Sequence, residues 1–151
     1  MTTVIKRTDS TNPDFISLVR QLDAELRDRF GEAQTFFDQF NKLDSIKHVV
    51  VTYYDEVPVG CGAIKKFDES TMEVKRMFVH PLHRGKGYAA EVLSELEKWT
   101  AEMNFSHCVL ETGDKLPEAV GLYEKSGYSL IPRYGQYANS ESSICMKKRV
   151  T

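Results

Sequence analysis

The chain has 151 residues, 41% of them apolar and 28% charged, with a formal net charge of −2. That length and balance fit one globular domain spanning 1–151 with a continuous core. The near-neutral charge argues against a nucleic-acid footprint, and no apolar run approaches the roughly 20 residues that span a bilayer, so no membrane role is expected. The first residues, Met1-Thr2-Thr3-Val4-Ile5-Lys6-Arg7, hold no apolar signal core. Cys61, Cys108 and Cys145 are widely spaced and odd in number, which fits a reducing, cytoplasmic setting better than a disulfide framework.

In chain order, Val4 to Arg7 reads as a first strand. Asn12-Pro13-Asp14 starts a helix whose apolar face is Phe15, Leu18, Val19, Leu22, Leu26 and Phe30. Phe36, Phe37, Phe40 and Leu43 predict a second, shorter helix. Val49 to Tyr54 is a β-branched and aromatic strand; Asp55-Glu56 turns the chain, and Val57 to Lys66 returns as its hairpin partner. A strand follows from Thr71 to Val79. Arg84 to Gly87 opens a helix carrying Ala89, Val92, Leu93, Leu96 and Met103 at helical spacing. His107 to Thr112 is another strand, expected to lie parallel to the one before that helix. Pro117 starts a short helix through Tyr123, stopped by Gly127. Tyr128 to Ile131 and Ser142 to Lys148 complete the sheet.

The chemistry-bearing stretch is Glu73-Val-Lys-Arg-Met77-Phe78-Val79-His80-Pro81-Leu82-His83-Arg84-Gly85-Lys86-Gly87-Tyr88-Ala89. A strand runs into a Gly-rich turn that opens a helix. Such a helix start offers unpaired backbone N–H groups and the positive end of a dipole, a natural seat for a pyrophosphate. Arg84 and Lys86 add charge at the rim. A Walker A loop is excluded, because Lys86 is followed by Gly87. The dinucleotide pattern fits Gly85-Lys86-Gly87-Tyr88-Ala89-Ala90, with Glu111 as a ribose partner. Against it, three strands precede the motif and too little chain follows for a doubly wound sheet. That leaves a nicotinamide-dependent oxidoreductase as the lesser alternative.

Arg84-Gly85-Lys86-Gly87-Tyr88-Ala89 resembles the acetyl-CoA loop R/Q-x-x-G-x-G/A of the GNAT superfamily of N-acetyltransferases. Glu73 to Pro81 is similar to the family's preceding strand, Leu93 to Trp99 to its long helix, and Val109 to Thr112 to its next strand. Ala119-Val-Gly-Leu-Tyr123-Glu-Lys-Ser-Gly127-Tyr128 is similar to the helix and turn that close the site. The resemblance covers Val4 to Lys148 and implies an α/β (α+β type) fold. In it a mixed, mostly antiparallel sheet of about seven strands is flanked by about four helices.

The resemblance implies acetyl-CoA as cosubstrate, with Met77, Phe78, Val79, Arg84, Gly85, Lys86, Gly87, Tyr88 and Ala89 at its binding site. The Met77 N–H would face the thioester carbonyl, and Val79 would hold the pantetheine amides. It implies acetyl transfer to a primary amine of a small-molecule or amino-acid-like acceptor by direct attack on the thioester. Glu73 stands where several members carry the base that deprotonates the amine, and Tyr123 matches the general acid that protonates the leaving thiolate. A phenol of pKa about 10 can protonate a thiol of pKa about 8.5 only modestly uphill. A non-catalytic CoA-binding sensor module uses the same motifs and stays open, as does a strand-surface or packing role for Glu73 and Tyr123. A homodimer is expected by resemblance alone. No metal site is expected: His80 and His83 have no evident third ligand.

One further reading comes from parity. Apolar residues fall at Met72 and Val74, then at Met77 and Val79. A strand keeps one face buried across such a slip only if a bulge absorbs a residue; alternatively Phe78, on the even register, continues the first face and no bulge exists. Gly60-Cys61-Gly62 in the hairpin is a site of close backbone approach or a packing bend. The loop Arg133-Tyr134-Gly135-Gln136-Tyr137 and the stretch from Phe36 to Asn41 are expected to border the acceptor.

Overall fold

The computed structural model describes residues 2–30 and 46–151. Among them are seven strands: β1 (Thr3–Thr8), β2 (His48–Tyr54), β3 (Val57–Lys66), β4 (Thr71–Val79), β5 (His107–Gly113), β6 (Ser129–Ile131) and β7 (Ser143–Arg149). Three α-helices are described: α1 (Pro13–Phe30), α2 (Tyr88–Glu102) and α3 (Pro117–Lys125). The helix expected over Phe36 to Leu43 lies outside the described residues. The strands are ordered β1-β2-β3-β4-β5-β7-β6. β4 and β5 pair in parallel, while β1–β2, β2–β3, β5–β7 and β6–β7 are antiparallel. This is the mixed, mostly antiparallel sheet expected, and it is not the doubly wound parallel sheet that a dinucleotide fingerprint would require.

The chain forms two compact units. One joins the residues up to Lys65 to Lys75–Leu96, the other joins Lys66–Val74 to Glu97–Thr151, so β4 and α2 each supply residues to both.

In the first unit, Asn12 caps α1: its Oδ1 accepts from the N–H of Asp14 (2.9 Å) and Phe15 (3.1 Å), with Pro13 in the first turn. Phe15, Leu18 and Val19 are buried against Val49, Val51, Tyr53, Cys61, Ala63 and Phe78, and Leu22 packs at the edge of that cluster. The Tyr53 hydroxyl donates to Asp14 Oδ2 at 2.7 Å, tying β2 to the start of α1. Asp55 and Glu56 both take positive φ (48° and 69°), the geometry of a two-residue hairpin turn whose twist matches its strands.

In the second unit, β5 lies between β4 and β7, with Glu73 level with Val109 and Glu111 level with Cys145. Glu97 of α2 accepts from the Tyr128 hydroxyl (2.9 Å) and from Lys148 Nζ (2.8 Å). Asn104, at φ 67°, takes the left-handed conformation that ends α2.

The slip in β4 is located at Arg76, whose φ of 60° is rare for a non-glycine residue inside a strand. Met72 is level with Cys108, whose thiol donates to Thr100 Oγ1 of α2 at 3.4 Å. Met77 Sδ instead crowds Gly62 together with Val92 and Leu96 of the same helix. An even-numbered and an odd-numbered residue of one strand therefore face one helix, which requires the extra residue that a bulge supplies. The Arg76 side chain is 7% exposed and pairs with Asp23 of α1 at 2.8 Å.

Candidate active site

The turn after β4 is built by local hydrogen bonds. His80 Nδ1 accepts from the Leu82 N–H (3.1 Å), Pro81–His83 form a short 3-10 turn, and the His80 N–H donates to the Val59 carbonyl (2.8 Å). Arg84 donates from Nε to the Val79 carbonyl (2.8 Å), and its two terminal nitrogens reach the Glu25 carboxylate at 3.2 and 2.7 Å. Its charge, expected at the rim of the phosphate site, is thus engaged in fixing the loop to α1. Lys86 is exposed.

Gly85 and Gly87 take φ of 78° and 86°. That conformation explains why α2 begins at Tyr88 and not within 84–87, since left-handed residues cannot belong to a right-handed helix. A Cβ at either glycine would meet no atom within 4 Å, so both border open space. The Glu91 N–H donates to the Gly87 carbonyl at 3.1 Å, closing the first helical turn. The N–H groups from Gly87 through Ala90 consequently lack intrahelical acceptors. An open glycine turn, helix-start donors and Lys86 fit the diphosphate of coenzyme A.

Met77, Phe78 and Val79 lead into this turn. Phe78 belongs to the α1 core, and Val79 packs with Val59 and Tyr88. Met77 is half-buried. With these side chains committed to packing, the segment can serve a ligand chiefly through its main chain. Gly60 lets β3 approach here: a Cβ on it would lie 3.3 Å from the Phe78 carbonyl oxygen.

The second unit holds the two residues expected to move protons. Glu73 is half-buried in β4, and its Oε2 accepts from the Tyr134 hydroxyl at 2.7 Å. Tyr134 lies edge-on to Phe67 (centroids 4.9 Å apart) and to Tyr137 (5.8 Å). Burial and the Glu73 charge push the Tyr134 phenol well above its ordinary value, and burial with Glu111 and Glu73 does the same to Tyr137. Glu111 accepts from the Ser143 hydroxyl at 2.7 Å, so its carboxylate is engaged with β7. Glu73 and Glu111 share a face of the sheet, because Glu73 is level with Val109 in a parallel pair and Glu111 lies two residues on.

Tyr123 is 6% exposed, and its hydroxyl has no hydrogen-bond partner among the described residues. Burial, then the Glu111 charge, raises its pKa, which keeps it in the proton-donating form at neutral pH. Its backbone is fixed by the end of α3. The Tyr128 N–H donates to the Tyr123 carbonyl (3.0 Å) and the Gly127 N–H to the Glu124 carbonyl (3.1 Å), with Gly127 at φ 96°. That is the Schellman pattern, and the Leu-Tyr-Glu-Lys-Ser-Gly-Tyr run is its sequence form.

The pairing of Tyr134 with Glu73 and that of Ser143 with Glu111 were not foreseen from sequence. The aromatic loop drew notice, but nothing in its composition pairs Tyr134 with Glu73, 61 residues away. The stretch from Phe36 to Asn41, expected to border the acceptor, lies outside the described residues. Cys61, Cys108 and Cys145 are buried and free, and burial pushes the Cys61 thiol up, which disfavours its nucleophilic form. No group of three metal-ligating side chains occurs among the described residues.

Residues 13–128 match the model of the "Acetyltransferase (GNAT) family". The chain is 30% identical over 135 residues to an IAA acetyltransferase of Azospirillum brasilense, covering 88% of each chain. A Klebsiella pneumoniae structure assigned as an acyl-CoA N-acyltransferase superposes with a TM-score of 0.83, at 25% identity and 99% coverage of both chains. The PaiA N-acetyltransferase of Thermoplasma acidophilum, solved in complex with coenzyme A, has the same fold, with a TM-score of 0.70 at 15% identity and 99% coverage of both. The chain belongs to the acetyltransferase (GNAT) family and is an acetyl-CoA-dependent N-acetyltransferase.

Proposed function

We propose that the protein transfers the acetyl group of acetyl-CoA to the primary amine of a small-molecule or amino-acid-like acceptor, by direct attack on the thioester. A free alkylamine has pKa about 10.4, so almost all of it is protonated at neutral pH and a base must release the nucleophile. Glu73 takes that proton, directly or through a water. The amine nitrogen then bonds to the acetyl carbon as the carbon–sulfur bond breaks, and Tyr123 gives its proton to the departing sulfur. The Met77 N–H faces the carbonyl oxygen, a placement worth roughly 2.7–4 kcal/mol where an oxyanion depends on it. Main-chain groups of Phe78 and Val79 line the pantetheine arm, and the turn from Arg84 to Ala89 takes the diphosphate.

The observation that carries this reading is Tyr123, a buried residue whose hydroxyl has no protein acceptor among the described residues and stays protonated. Two complementary chemistries are thereby provided on one chain: a carboxylate to receive a proton and a phenol to return one. Residues 1–151 act as one catalytic domain, an assignment supported by β4 and α2, which contribute to both units. A net charge of −2 supports a small-molecule acceptor over nucleic acid. Three buried, unpaired thiols support a cytoplasmic location. A homodimer follows from family resemblance only. No described helix is long and apolar enough to cross a membrane.

The test is CoA thiol release from acetyl-CoA across a panel of amino acids, amino-acid esters, diamines, polyamines and arylalkylamines. Release that depends on one of these amines supports the reading. Tight acetyl-CoA binding with no release across the panel would reassign the protein as a CoA-binding module or as an acetyltransferase of protein amines.

A further inference from the structure

We propose that Tyr134 is a positioning residue of the acetyl-transfer step, its hydroxyl fixing the Glu73 carboxylate in the rotamer that proton transfer from the acceptor amine requires. The inference rests on Glu73 being the base.

A glutamate projecting from a strand has three side-chain torsions to restrain. Proton transfer needs its oxygen within hydrogen-bond reach of the amine, or one water away. An error of about 1 Å in such placement can cost about a hundredfold in rate. Tyr134 Oη lies 2.7 Å from Glu73 Oε2, within the short range of charge-assisted O–H···O bonds. A phenol placed there is a donor that cannot itself compete for the amine proton.

Tyr134 is well held for this task. Its ring is bracketed by Phe67 at 4.9 Å and Tyr137 at 5.8 Å, both edge-on, and Tyr137 is 3% exposed. Phe67 sits on the turn into β4, where its N–H donates to the Thr71 carbonyl at 2.9 Å. The residue that clamps Tyr134 is thus anchored at the start of the strand that carries Glu73. On the other side, Arg133 donates from Nε to the Ser143 carbonyl and from Nη2 to the Glu141 carbonyl, each at 3.2 Å, which fixes the loop to β7. The titratable groups acting on the phenol are Glu73, Cys145 and Tyr137; with burial, they keep it protonated.

A plain loop anchor would use the same contacts, so the test must read proton transfer as well as folding. Tyr134→Phe, Glu73→Gln and the double variant are assayed with the most reactive amine of the panel above, beside their thermal melts. Tyr134→Phe should melt within a few degrees of wild type, because the ring contacts remain. Its kcat should fall roughly tenfold, the usual scale for losing a hydrogen bond to a charged group, with the KM for acetyl-CoA unchanged. In the Glu73→Gln background, Tyr134→Phe should cost nothing further. Wild-type kcat in Tyr134→Phe, beside an impaired Glu73→Gln, would overturn the proposal while leaving Glu73 as base. So would a melting temperature lowered by ten degrees or more, which would show the hydroxyl to be structural. Full activity in Glu73→Gln, or no reactive amine in the panel, would remove the underlying reading and this inference with it.

Discussion

Tyr128 holds Tyr123 twice: its N–H donates to the Tyr123 carbonyl at 3.0 Å, and the two rings meet edge-on with centroids 5.8 Å apart. The first contact is the long bond of a Schellman cap, and the second is the apolar contact that usually accompanies one. Tyr128 is itself anchored, through its hydroxyl, to Glu97 of α2 at 2.9 Å. The cap therefore does more than end α3. It fixes the azimuth of the proposed general acid on the last full turn of its helix, and it explains why Tyr, Gly and Tyr occur at that spacing.

Tyr123→Phe separates chemistry from folding. Its hydroxyl has no protein partner among the described residues, so removing it leaves no buried group unsatisfied. Thermal stability should stay at the wild-type value or rise slightly. Turnover should fall by about a hundredfold or more, the scale of general acid catalysis, while acetyl-CoA still shifts the melting temperature. Thermal melts with and without acetyl-CoA, beside CoA release, check both halves. Unchanged turnover would exclude Tyr123 as the acid.

Gly127→Ala tests the cap. At φ 96° an L side chain is strained, although the nearest atoms its Cβ would meet belong to the flexible Lys148 side chain, at 3.5 Å and beyond. The cost is therefore conformational, about 1–2 kcal/mol, or several degrees in a chain of this size. Gly127→Asn should cost less, because Asn tolerates the left-handed region. Urea denaturation of both variants gives the order. Equal stability of Gly127→Ala and wild type would contradict the cap.

Most of the scaffold was legible because its signals are local. Val57–Lys66 and Thr71–Val79 run between the limits read from β-branched and turn residues, and Asn12 with Pro13 starts α1 as its chemistry requires. The bulge was readable too, as one of two remedies for the parity slip in Met72, Val74, Met77 and Val79, and Arg76 at φ 60° decides for it over an even register continued by Phe78. The start of α2 was placed too early: the glycines of the loop look like helix opening in sequence but are left-handed in the fold. Long-range polar pairs were not legible. Glu73 with Tyr134, and Arg84 with Glu25 across 59 residues, are joined by topology. A charged side chain carries no periodicity that names its partner.

Gly62→Ala probes the packing beneath Met77. A Cβ there would lie 2.5 Å from Met77 Sδ and 2.9 Å from both Leu96 Cδ1 and Val92 Cγ1. The methionine can swing aside, but two branched residues on α2 must also yield. Overpacking of this kind costs about 1–3 kcal/mol. Adding Val92→Ala should recover part of the loss, because it vacates the same volume. Denaturation of the two single variants and the pair measures that coupling. Strictly additive effects would mean that the strain is relieved elsewhere.

Tyr53 sets an alkaline limit on stability. Burial and its bond to Asp14 push its phenol up to about 12, from 10 in the unfolded chain. Between these values the folded state keeps a proton that the unfolded state has lost, so the unfolding free energy falls as pH rises. The contribution is complete below pH 10 and gone above about 12, and two pKa units correspond to about 2.7 kcal/mol. Tyr123, Tyr128, Tyr134 and Tyr137 are shifted in the same direction and steepen the limb. Tyr53→Phe removes one of these protons and also the 2.7 Å bond to Asp14. It should be less stable than wild type at pH 7 by about 1–2 kcal/mol, as for a hydrogen bond to a charged group. It should then lose stability more slowly above pH 10, so the two curves converge. Urea denaturation at pH 7, 9, 10 and 11 checks this. Parallel curves for the two proteins would show that the Tyr53 phenol titrates alike in the folded and unfolded chains.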